Sequence, residues 1–107
     1  MKPFMLNGQL WRVVRLMPGD PYLVDWKGMP KIAVANSNDR IIAISWSVLP
    51  PKLDMVLLHE IGHAVTMAYG LQVDEASAQL IEHHAIEALV LAAEVLGRPV
   101  CVDGTCI

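Results

Sequence analysis

The first part of the chain alternates or runs apolar in short stretches, and the second part repeats at helical spacing. Leu10-Trp-Arg-Val-Val-Arg-Leu16, Tyr22-Leu-Val-Asp-Trp26, Lys31-Ile-Ala-Val-Ala35 and Arg40-Ile-Ile-Ala-Ile-Ser-Trp46 are rich in β-branched and aromatic residues and read as strands. Met17-Pro-Gly-Asp-Pro21 and Asn36-Ser-Asn-Asp39 are turns, and the last two strands form a hairpin across the second of them. Residues 1–8 read as a loose lead-in ending at Asn7-Gly8.

From Pro51 the period changes. Leu57, Ile61, Ala64, Val65 and Ala68 recur on one helical face, and Gly70 stops a helix of about 51–69. Asp74 caps a second helix, about 74–96, which Gly97 and Pro99 end. Its polar side carries Glu75, Gln79, Glu82, His83, Glu87 and Glu94, and the rest is apolar. So wide an apolar surface calls for cover by the sheet, by the first helix, or by a second copy in a homo-oligomer. The expected fold is α+β: a small antiparallel-type sheet of three to four strands packed on the two helices, one domain over 1–107. Trp11, Trp26 and Trp46 are expected in its core.

Composition narrows the partners. The net charge is −3 with no Lys/Arg cluster, which argues against nucleic acid. A hydrophobic share of 54% supports a core, but Glu87 and Glu94 interrupt the longest apolar run, so no membrane span is expected. The N-terminal stretch is too short and polar for a secretory signal, and a cytoplasmic location is expected. Cys101 and Cys106 read first as free thiols, second as a small disulfide loop around Gly104, and third as a tail thiol that ligates metal.

The chemistry concentrates in His59-Glu60-Ile61-Gly62-His63. Histidines four apart rise on one helix face, where both imidazoles reach one zinc ion. The adjacent Glu60 is placed to take a proton from water. A hydrolytic site needs a third protein ligand and one open position. Glu75, Glu82 and His83 are the candidates, and Tyr69, Tyr22 or His83 could steady an oxyanion.

His59-Glu-Ile-Gly-His63-Ala-Val, then Tyr69-Gly-Leu71 and Asp74-Glu-Ala-Ser-Ala-Gln-Leu80, resembles the small phage and prophage HExxH metallopeptidase-like proteins. It is also similar to the ImmA/IrrE family and, more loosely, to the minigluzincins. The likeness spans roughly residues 31 to 90 and implies a zincin-like fold, a peptide or protein substrate and Zn2+ as cofactor. It implies that His59 and His63 are ligands, Glu60 is the catalytic base and Glu75 is the third ligand. It further implies that the strand before the helix, Arg40 to Trp46, pairs with extended substrate. Two alternatives stay open: a non-catalytic, zinc-stabilised interaction domain, and a protease dedicated to a phage or prophage repressor.

Overall fold

The structure is a computed structural model that describes residues 1–70, 87–102 and 105–106, the last three of these by backbone alone. Its elements are β1 (Phe4–Leu6), β2 (Gln9–Leu16), β3 (Ala33–Asn36), β4 (Ile41–Ser45), α1 (Lys52–Ala68), a helix α2 over residues 87–96, and a two-stranded tail of β5 (Cys101–Val102) and β6 (Thr105–Cys106).

The lead-in is a strand. Asn7 and Gly8 both take positive φ, 49° and 75°, which is the two-residue hairpin turn that matches strand twist. It sets Leu6 opposite Gln9 and Phe4 opposite Trp11, and it turns Phe4 and Leu6 inward. The stretch Tyr22–Trp26, expected as a strand, is instead a looped excursion with a single bridge, Val24 to Pro30. Aspartates curl it: Asp20 Oδ1 accepts the Tyr22 N–H, and Asp25 Oδ1 accepts those of Lys27 and Met29, each at 2.9 Å.

Strand order in the sheet is β1-β2-β4-β3. The β3–β4 hairpin forms as expected, with Asn36 opposite Ile41. The sheet is mixed rather than antiparallel, because β4 inserts beside β2 and runs parallel to it, Arg12 beside Ile41 through Leu16 beside Ser45. The loop after β2 spans the width that β4 then fills. β3 is therefore an edge strand, and β4 is interior.

One sheet face carries Phe4, Leu6, Trp11, Val13, Ala33, Ile42 and Ile44, and the helices close over it. From α1 come Leu57, Ile61, Ala64 and Val65, none more than 2% exposed, and from α2 come Ala88, Leu91, Ala92 and Val95. Each fully buried large aliphatic contributes ~1.5–3 kcal/mol, so this face fixes the rotation of α1 about its axis. Trp11 is core, but Trp46 is 54% exposed with the Arg15 guanidinium 4.6 Å from its ring centroid, and Trp26 is 89% exposed.

Both ends of α1 are tied down. At its start, buried Asp54 receives two 2.7 Å hydrogen bonds from Arg98 and one of 2.8 Å from the Cys101 N–H. At its end the Asn7 amide donates to the Ala68 carbonyl at 3.1 Å, and Gly70 at φ 68° breaks the helix. Cys101 is disulfide-bonded, so the free-thiol expectation fails for it, and it is not available as a metal-binding thiolate. Among the described residues no helix is long and apolar enough to cross a membrane.

Candidate functional site

Burial of Leu57, Ile61 and Val65 against the sheet turns the neighbouring face of α1 towards the free edge of β3. His59, Glu60, His63, Thr66 and Met67 form one wall of a cleft of about 740 Å³ along that edge. Lys31 and Ala33 to Asn38 form its floor, and Tyr22, Val24, Asp25 and Trp26 of the loop close the far side.

The two histidines meet. Their Nε2 atoms lie 3.0 Å apart, with ring planes at 83°. With metal–nitrogen bonds of ~2.0–2.1 Å, nitrogens at this 3.0 Å separation subtend about 95° at a shared ion, and ~0.3 Å of widening reaches the tetrahedral angle. The pair fits half of a zinc site. Desolvation and the neighbouring His59 lower the His63 pKa, favouring the neutral imidazole that binds metal. Thr66 donates to the Gly62 carbonyl at 2.9 Å, so its hydroxyl is spent within the helix.

Glu60 is 8% exposed and makes no hydrogen bond among the described residues. Burial raises its pKa, and the charges of His59 and Lys31 oppose that rise. A carboxylate whose pKa is raised by burial is a stronger base than one in water, and the positive charge of Lys31 acts against that rise. Lys31 went unnoticed in the sequence, where it reads only as the polar start of a strand.

The edge itself offers backbone groups. Ser45 N–H bonds the Ile32 carbonyl at 2.8 Å, so Ile32, and by alternation Val34 and Asn36, face β4. The N–H and C=O of Ala33 and Ala35 then face the cleft, and neither residue bonds other backbone there among the described residues. The substrate-pairing strand expected at Arg40 to Trp46 is corrected accordingly: β4 is flanked by β2 and β3 and has no free edge.

No family model, no curated protein and no solved structure matches this chain. The site therefore stands on its own geometry. Glu75, Glu82 and His83, with the expected start of the second helix, lie outside the described residues. Among the described residues no group of three metal-binding side chains occurs. Tyr69 does not line the cleft: it ends α1, 40% exposed, its hydroxyl 3.5 Å from Glu87 Oε1. Tyr22 does line it, with its hydroxyl donated to Asp39 at 2.8 Å; burial, then that bond, push its pKa up to about 12.

Proposed function

We propose that this chain is a zinc-dependent metallopeptidase. One observation carries the proposal: two histidine nitrogens 3.0 Å apart and a buried carboxylate share a cleft with a strand edge that is unpaired among the described residues. His59 and His63 would hold the ion, with Glu75 as third ligand and Glu82 and His83 as reserves. A zinc ion there supplies Lewis acidity, which polarises a carbonyl and makes water more acidic.

The chain's own residues do the rest. An extended peptide adds to β3 through the outward backbone groups of Ala33 and Ala35, which aligns its scissile bond along α1. Glu60 accepts a proton from the attacking water and returns it to the leaving amine. Lys31 stands close enough to influence Glu60 and steadies its charged form before the proton arrives. The buried surroundings of Glu60 strengthen these electrostatic effects.

Metal content and peptide hydrolysis test this directly. Purified protein is expected to take up one zinc ion, and His59→Ala or His63→Ala is expected to lose it. Alanine substitutions at Glu75, Glu82 and His83 identify the third ligand by which one weakens zinc binding. A parent protein with no affinity for zinc would end the proposal.

A further inference from the structure

Among the described residues Trp26 is the most exposed of the large apolar side chains, at 89%, and yet the loop that carries it is tightly built. Asp25 Oδ1 accepts two backbone N–H groups, Asp25 N–H bonds the Met29 carbonyl at 3.0 Å, and Gly28 N–H bonds the Asp25 carbonyl at 2.9 Å. Gly28 sits at φ 80°, where a side chain would be strained. At the loop's base Leu23 is buried, and the Lys31 N–H bonds its carbonyl at 2.9 Å, which moors the loop to the start of β3. The Lys27 ammonium lies 4.9 Å from the ring centroid and helps hold the indole. A large apolar ring is thus presented to water on a loop whose backbone the fold already orders.

Trp26 and the exposed Val24 line the same cleft as His59, Glu60 and the edge of β3. A peptide strand on that edge sends alternate side chains to opposite sides of the sheet plane. Every second one therefore projects on the same side of that edge.

We infer that Trp26 is the specificity residue of the cleft, taking one apolar side chain of an extended peptide bound along the edge of β3. The inference deepens the peptidase proposal and rests on it. It commits the loop to peptide recognition, with an apolar residue selected over a polar or acidic one.

The test uses the full chain carrying Glu60→Gln, so that peptide is bound and not consumed. The probes are blocked octapeptides of alanine and serine in which one position in turn carries Leu, Phe or Asp. Trp26→Ala is expected to weaken the best Leu and Phe peptides about tenfold, and the Ala/Ser and Asp peptides less than about twofold. Trp26→Phe is expected to restore most of the preference. Indole emission should shift to the blue on binding and cease to do so in Trp26→Ala. Equal weakening of all peptides, or no peptide binding, overturns the assignment. So does self-association that Trp26→Ala abolishes, since the ring then serves a second copy. Zinc uptake measured on the same proteins separates the two proposals. A parent protein without zinc sinks the peptidase, whereas zinc retained with unselective peptide binding sinks only the role of Trp26.

Discussion

Two buried carboxylates sit on α1 less than two turns apart, and they have opposite characters. Asp54 is 1% exposed and saturated, with two hydrogen bonds from Arg98 and one from the Cys101 N–H. Its pKa lies below the ordinary value, chiefly because of the Arg98 hydrogen bonds, which outweigh desolvation. Glu60 is nearly as buried but has charged groups only near it and no hydrogen bond among the described residues, so desolvation prevails and its pKa rises. Burial alone decides neither role. Partners do: a satisfied carboxylate anchors structure, while an unsatisfied one in a cleft is available for proton transfer.

Exchanging each carboxylate for its amide separates the two roles most widely. Glu60→Gln should lower kcat for peptide hydrolysis by about 10²–10⁴-fold, the usual worth of a positioned base, with zinc content and melting temperature held. If Asp54→Asn lowered kcat as steeply, the distinction would collapse.

Next in size is the loss of metal. His59→Ala should remove zinc and its thermal stabilisation together, visible as a parent protein whose melting temperature rises with added zinc and a variant whose temperature does not. A variant that still responds would place the ion elsewhere.

Asp54 gives the pH prediction. Its folded pKa is depressed below 3.8, so the stability it contributes is present above that unfolded-state value. That stability is lost as pH falls through the lower folded value. Asp54→Asn should lower the melting temperature by several degrees at neutral pH and flatten the fall below about pH 4. Parallel acid limbs in the two proteins would show that the Arg98 contact contributes nothing.

The smallest effect is expected at Gly62, between the histidines. A Cβ there meets nothing within 4 Å among the described residues, so Gly62→Ala should stabilise α1 by up to ~1 kcal/mol. Destabilisation would reveal an approach to Gly62 by residues outside the described ones.

Much of this was legible because it is local. The His59–His63 spacing, the core face of Leu57, Ile61, Ala64 and Val65, and the β3–β4 hairpin each depend on neighbours a few positions away. The Asn7-Gly8 turn was equally local, but its hairpin was missed because the strand before it is only three residues long. Tyr22 to Trp26 has strand-like composition, yet two aspartate side chains compete for its backbone and bend it into a loop.

By itself the sequence determined α1, its paired histidines and the carboxylate between them, because helical periodicity converts spacing directly into direction. Only the tertiary structure decided that β3 rather than β4 borders the cleft. Strand order follows from long-range pairing, and β4's insertion beside β2 leaves no local trace. It also decided that Asp54 is tied down while Glu60 is left open, since Arg98 and Cys101 reach Asp54 from the far end of the chain. And it put Trp26 at the rim instead of in the core, because the turns that curl its loop outcompete the burial its size would otherwise favour.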